Sequence, residues 1–150
     1  MINVVLYKPD IPQNTAAIVR LSACLSLKIH IIEPCGFNLN DSRFKRVVMD
    51  YIELSQIVRY PDFTNFIKKN SKSRIILMTT KSKKFYHQFR FRKSDFLLFG
   101  RESAGVPDNV HNLIKYRLKI PMVNDKRSLN IASSVAIILS ENLRQINFDK

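Results

Sequence analysis

Residues 2–33 read INVVLYKPDIPQNTAAIVRLSACLSLKIHIIE, and this stretch decides the fold. Residues 2–7 are a short β-rich run, apolar on consecutive positions, which is how a strand covered on both faces is written. Pro9, Pro12 and Asn14 interrupt it. TAAIVRLSACLSL then carries helical spacing, with Asn14 or Thr15 as the expected cap, and residues 28–33 return to a strand. A buried strand, a helix and a second buried strand make a parallel unit.

The same alternation runs on through the chain. Helices are predicted over residues 41–49, over 61–70 with Pro61-Asp62 in the first turn, and over 129–145; further strands are predicted over 74–79, 95–100 and 116–121. The fold class is therefore α/β, a parallel sheet flanked by helices on both faces. Open sheets of this class bind ligands beyond the carboxyl ends of their strands, so chemistry is sought in the loops after Thr79, Phe99 and Ile120.

A chain of 150 residues that is 45% hydrophobic, with three Gly and six Pro, fits one globular domain over residues 1–150. The apolar run at the N-terminus falls far short of the ~20 residues of a membrane span and lacks the flanks of a signal peptide. A cytoplasmic location without a membrane partner is expected. Cys24 and Cys35 have neither metal-ligand spacing nor a disulfide-framework count, so both read as reduced and structural and no metal is expected. Neither GxGxxG nor a Walker loop is present, which leaves a nucleotide-binding oxidoreductase or NTPase without its fingerprint. His30, His87 and His111 lie in different elements with no Ser or Cys motif beside them, so a catalytic triad has no support.

Charge points to a polyanionic partner: 25 Lys and Arg stand against 12 Asp and Glu, a net of +13. Residues 81–93, KSKKFYHQFRFRK, hold six Lys and Arg and no acid, interleaved with Phe85, Tyr86, Phe89 and Phe91. Lys83, Lys84, Arg90 and Arg92 are candidates for RNA phosphates and the aromatics for unpaired bases, although aromatics also commonly pack on the domain beneath. Arg43, Lys45 and Arg46 form a second basic cluster.

Two loops carry polar groups at strand ends. In LLFGRESAGVP, residues 97–107, Gly100 permits close backbone approach to a ligand and Glu102 sets a carboxylate at the mouth. In IPMVNDKRSLNIASSVAIIL, residues 120–139, Ser128, Leu129 and Asn130 open the last helix with a polar rim. Taken singly, either is also explained by ordinary turn geometry and helix capping.

Together with PDIPQNTAAIVR, residues 9–20, these two segments resemble, in order and spacing, the three motifs of the SPOUT-superfamily 2′-O-methyltransferases. The most similar branch is the tRNA (cytidine or uridine, wobble position) 2′-O-methyltransferases. Their IEPxGF and LDYxE segments resemble Ile32-Glu33-Pro34-Cys35-Gly36-Phe37 and Met49-Asp50-Tyr51-Ile52-Glu53. The resemblance covers nearly the whole chain. It implies S-adenosyl-L-methionine as cofactor, a wobble-position ribose in tRNA as acceptor with leucine tRNAs foremost, contact with the anticodon region, a homodimer, and a C-terminal trefoil knot that forms the cofactor pocket.

Met78, Gly100, Ile120 and Ser128 fall on the family's cofactor-contacting positions, with Leu129 and Asn130 as neighbours. These lie in the loops that the strand-end rule selects. Arg20 falls on the residue that resembles the activator of the ribose hydroxyl. Because a guanidinium keeps its protons, its expected role is to orient the hydroxyl and a neighbouring phosphate. Asn14 falls where it would orient substrate or loop. The chain departs from the family pattern at Ala16-Ala17 (usually Gly-Asn), Arg101 (Pro), Ala104 (Arg) and Ser140 (often Tyr). These substitutions leave open an alternative, a non-catalytic RNA-binding module that keeps the fold.

Overall fold

The computed structural model describes residues 1–51, 53, 56–123 and 128–147; Ile52 and residues 124–127 of the motif segments lie outside it. The elements are β1 (Asn3–Tyr7), α1 (Pro12–Cys24), β2 (Lys28–Ile32), α2 (Ser42–Met49), β3 (Ile57–Tyr60), α3 (Phe63–Lys69), β4 (Ile75–Met78), β5 (Phe96–Phe99), α4 (Asp108–Leu113), β6 (Tyr116–Leu118) and α5 (Ile131–Asn147). A single 3-10 turn, Tyr86–Gln88, lies between β4 and β5. The strands form one sheet in the order β3-β2-β1-β5-β4-β6, every neighbouring pair parallel.

Side chains alternate between the faces of this sheet, and both faces are covered. Val4 and Leu6 of β1 pack with Ile18 of α1 and Val135, Ile138 and Leu139 of α5. Val5 and Tyr7 turn the other way, toward Phe66 of α3 and Val110 of α4. α2 extends the first layer through Phe44 and Val48, which meet Ala16 and Val19 of α1. All five residues of β1 are buried, which is why its sequence is apolar without alternation. Each such buried aliphatic side chain stabilises the fold by roughly 1.5–3 kcal/mol relative to exposure.

Several boundaries differ from the sequence reading. Helix α1 starts at Pro12, with Ile11 as its cap residue and no side-chain cap of its own, so neither Asn14 nor Thr15 caps it. Helix α3 starts after Asp62, whose carboxylate accepts from Asn65 N at 2.7 Å, and Pro61 stands outside the first turn. Asn130 opens α5, its Oδ1 accepting from Ala132 N at 2.9 Å and Ser133 N at 3.3 Å. Strand β3 is absent from the sequence reading, because at the sheet edge two of its four residues are exposed and its apolar signal is broken.

His30 on β2 is buried and neutral. Asn3 Nδ2 donates to Met1 O at 3.0 Å, so its Oδ1, 3.0 Å from His30 Nε2, accepts a hydrogen bond from the ring N–H. Nδ1 then accepts from the Tyr60 hydroxyl at 3.0 Å, which itself accepts from Asn70 Nδ2 at 3.2 Å. Burial, aided by Lys28, lowers the His30 pKa from 6.5 to about 4. In the unfolded chain the imidazole takes up a proton below its ordinary value, while the folded chain resists. Stability is therefore complete above pH 6.5 and drains away between pH 6.5 and 4, by on the order of 3 kcal/mol. Urea unfolding across this range is expected to show that slope, and His30→Gln to flatten it.

Candidate functional site

The carboxyl ends of β4, β5 and β6 open into a cleft of about 580 Å³, a size typical of small-molecule sites. The loop after β4 is laced to β6: Thr79 N donates to Leu118 O at 2.9 Å, Ser82 Oγ to Arg117 O at 2.7 Å, and Lys119 N to Lys84 O at 2.9 Å. Met78, Gly100, Ile120 and Ser128 all line the cleft, as do Asn14, Leu129 and Asn130. The four positions assigned to the cofactor thus come together, from three loops far apart in sequence.

Arg20 does not join them. It lies about 240° around α1 from Asn14. Arg20 is exposed, and its guanidinium sits 4.7 Å from the Tyr51 ring centroid. Within one chain it is outside the cleft lining.

A polar lattice ties the three motifs. Asp10 pairs with Arg101 and accepts from Ser103 N at 3.0 Å and Ser103 Oγ at 2.6 Å. Glu102 reciprocates, accepting from Asp10 N at 2.7 Å, Ile11 N at 3.3 Å and Asn14 Nδ2 at 3.3 Å. It thereby satisfies donors at the start of α1 that this helix cannot cap itself. Asn14 Oδ1 accepts from Asn130 Nδ2 at 2.9 Å, which closes the link to α5. The hydrogen bonds from Arg101 and Ser103 hold the Asp10 carboxyl well below the usual carboxylate range. Burial, with Glu33 nearby, raises the Cys35 thiol to about 12, so it stays protonated and inert, in keeping with a structural role.

Gly100 lines the cleft and also meets a packing demand of the chain itself. A Cβ there would stand 2.6 Å from the backbone of Gly105, so what approaches closely is the chain's own loop. Arg101 and Gly105 form a two-bond bridge, at 3.0 and 2.8 Å, and Gly105 takes the positive φ of 66° that this turn requires.

In the basic segment the charges face outward and the aromatics divide. Lys83, Lys84, Arg90 and Arg92 are exposed, whereas Phe89 and Phe91 are buried in the core and Phe85 and Tyr86 half-buried. Asp95 fixes this segment, accepting from Arg74 Nη2 at 2.6 Å and from Arg92 N at 2.8 Å. In the second cluster Arg43 and Arg46 are exposed and Lys45 half-buried; Arg43 pairs with Asp41, the cap of α2. Among the departures, Ala16 is a core residue, Ala104 lines the cleft, and Ser140 lies in a shallow depression beside Tyr86. The contacts of Asp10 with Arg101 and Ser103 carry no signal in the sequence, because they cross some ninety positions.

The cleft suits S-adenosylmethionine by its chemistry. Leu77, Met78, Phe99, Ile120 and Leu129 give apolar walls for an adenine ring, and Thr79, Ser128 and Asn130 give polar groups for a ribose and an amino acid. Among the described residues no group of His, Cys, Asp and Glu could hold a metal ion, and no helix is long and apolar enough to cross a membrane.

The model of the SpoU rRNA Methylase family matches residues 1–140. The chain belongs to this family. Among curated SpoU relatives, a tRNA (cytidine(34)-2′-O)-methyltransferase of Beijerinckia indica is 45% identical over 143 residues, 94% of this chain and 89% of the relative. A protein of the same description from Escherichia coli K12 is 35% identical, over 99% of this chain and 96% of its own. A solved structure concerned with 2-OH methylation of C/U34 on tRNA superposes with a TM-score of 0.91 at 34% identity, covering 99% of this chain and 97% of the other. The SpoU fold extends to an AdoMet-bound rRNA methyltransferase of Sinorhizobium meliloti, TM-score 0.85 at 21% identity, over 97% of this chain and 56% of that one.

Proposed function

We propose that this SpoU methylase transfers a methyl group from S-adenosylmethionine to the ribose 2′-hydroxyl of nucleotide 34 in tRNA. The observation that carries this reading is the cleft at three strand ends, where all four family cofactor positions meet, in a chain 45% identical to a tRNA (cytidine(34)-2′-O)-methyltransferase. An intact cleft, with Asn14 held at its rim by hydrogen bonds on both amide atoms, favours an enzyme over a binding module that has merely kept the fold.

When bound, S-adenosylmethionine supplies a methyl group on a positively charged sulfur, open to an oxygen nucleophile. Met78, Gly100, Ile120 and Ser128, which line the cleft, would hold it on the walls. Asn14, fixed by Glu102 and Asn130, sets the rim where the acceptor enters. Arg20 orients the hydroxyl and an adjacent phosphate by charge-assisted hydrogen bonds; as the new O–C bond forms, the S–C bond would break with its electron pair staying on sulfur, S-adenosylhomocysteine would leave, and the 2′ proton would pass to solvent water.

The same reading includes a homodimer, a C-terminal trefoil knot, a single domain and action in the cytoplasm. Two features support the homodimer. Arg20 lies outside the cleft of its own chain, and α1 and α5 expose the small residues Ala17, Ala136 and Ser140, over which a second copy can approach closely. Light scattering at micromolar concentration reads the assembly, and a monomer would refute it. Support for the knot comes from the placement of Ser128–Asn130 against the loops after β4 and β5 around one cleft; an experimental structure with an unthreaded chain end would refute it.

The anticodon region of tRNA meets the exposed Lys83, Lys84, Arg90 and Arg92, together with Arg43, Lys45 and Arg46. Replacing these cations is expected to weaken tRNA binding and to lower the slope of log affinity against log salt by roughly 0.7–0.9 for each phosphate that is no longer neutralised. Filter binding over a salt series measures it, and an unchanged slope would make them solubility residues. Mass mapping of ribose methylation in tRNA from cells with and without this gene tests the function, with leucine tRNAs assayed first. Methylation at position 34 that survives deletion would refute it.

A further inference from the structure

We propose that Asp10 is a positioning residue for methyl transfer: through Arg101 and Ser103 it latches the loop after β5 onto the start of α1, and so sets where Glu102 and Asn14 stand. The inference rests on the methyltransferase reading above.

Asp10 has no room for a neutral substitute. Its Oδ1 accepts from Arg101 Nε at 3.0 Å and from Nη2, and its Oδ2 accepts from Ser103 N at 3.0 Å and Oγ at 2.6 Å. An amide here would turn an NH₂ toward either the guanidinium or the Ser103 N–H, setting donor against donor. The backbone of Asp10 is held as well. Gly36 N donates to Pro9 O at 2.8 Å, and a Cβ on Gly36 would come within 2.9 Å of Asp10 Cα. Asp10 is thus a fixed point against which the loop after β5 is held.

What the latch controls follows from the contacts on its far side. Glu102, between Arg101 and Ser103, accepts from Asp10 N, Ile11 N and Asn14 Nδ2. If the loop drifts, these hydrogen bonds loosen and Asn14 keeps only Asn130. The cofactor side of the same loop is closed without Asp10, by the paired backbone bonds of Arg101 with Gly105. Loss of the latch therefore separates two effects: the rim that meets the acceptor shifts while the wall that meets the cofactor stays.

The test uses the full chain with Asp10→Asn, Asp10→Glu, Arg101→Met and the double variant Asp10→Asn/Arg101→Met. Three quantities are measured: single-turnover methyl transfer to tRNA, calorimetric affinity for S-adenosylhomocysteine, and tRNA affinity. Asp10→Asn is expected to slow transfer roughly 100-fold, with both affinities within about threefold of the parent, since misplacement of a reacting group acts on rate more than on binding. Asp10→Glu should recover the rate to within about tenfold, and the double variant should be no slower than either single one, because both break the same ion pair. Arg101 is 36% exposed, so Arg101→Met carries the test if Asp10→Asn fails to fold. Variants at the parental rate, a loss of cofactor affinity in step with the rate, or additive losses in the double variant would each overturn the latch. A parent chain that binds S-adenosylhomocysteine but transfers no methyl to tRNA would overturn the methyltransferase reading and the latch with it.

Discussion

Arg20→Ala is expected to reduce single-turnover methyl transfer at least about 100-fold while leaving cofactor affinity within a few-fold of the parent, the signature of a missing positioning group. The expectation rests on where the side chain lies. Arg20 is exposed, outside the lining of the cofactor cleft, with its guanidinium over Tyr51. Removing it costs about 0.5–1 kcal/mol of an exposed cation–π interaction, too little to unfold the chain. The cofactor walls are untouched. A folded, dimeric Arg20→Ala protein that methylates tRNA at the parental rate would show that Arg20 is only a surface residue of α1.

The second large effect is expected at Gly100, in the opposite pattern. Gly100→Leu places a Cβ 2.6 Å from the Cα and carbonyl carbon of Gly105, and backbone atoms cannot step aside as a flexible side chain would. The Arg101–Gly105 bridge must open, and with it the wall of the cleft between Phe99 and Val106. Overpacking of this kind costs typically about 1–3 kcal/mol, which is about 5- to 150-fold in an equilibrium constant. Cofactor affinity and methyl transfer should therefore fall together. Calorimetric titration with S-adenosylhomocysteine measures this, and full affinity alongside abolished transfer would place the defect on the acceptor side instead.

The contrast between these two residues shows which parts of the site are legible in the sequence. Gly100 stands out because a glycine at a strand's carboxyl end needs a reason, yet one reason, close packing on Gly105, is something that the sequence does not declare. The strand-end rule selects the loops after Thr79, Phe99 and Ile120, and the cleft opens there, because the rule depends only on element order and β1, β2, β4 and β5 are all legible as apolar runs. Strand β3 is not, since an edge strand with two exposed residues of four has no such run. The start of α1 is misplaced for a related reason: its cap comes from Glu102, and local capping rules cannot see a carboxylate ninety positions away. Asp10 is invisible in the same way, a surface-type residue whose four bonds all reach residues 101 and 103. In the basic segment, composition reveals the charges, but only packing separates the buried Phe89 and Phe91 from the half-buried Phe85 and Tyr86.

The central claim is that the acceptor is one particular hydroxyl, and a single substrate change tests it. The purified chain is incubated with isotopically labelled S-adenosylmethionine and two ligated tRNAs that differ only at nucleotide 34, one with ribose and one with 2′-deoxyribose there. Label is expected to enter the ribose tRNA and to map to position 34 by nuclease digestion and mass spectrometry, while the deoxy tRNA, binding as tightly, takes up none. Equal labelling of both tRNAs would contradict the account, because the methyl would then be going to another atom.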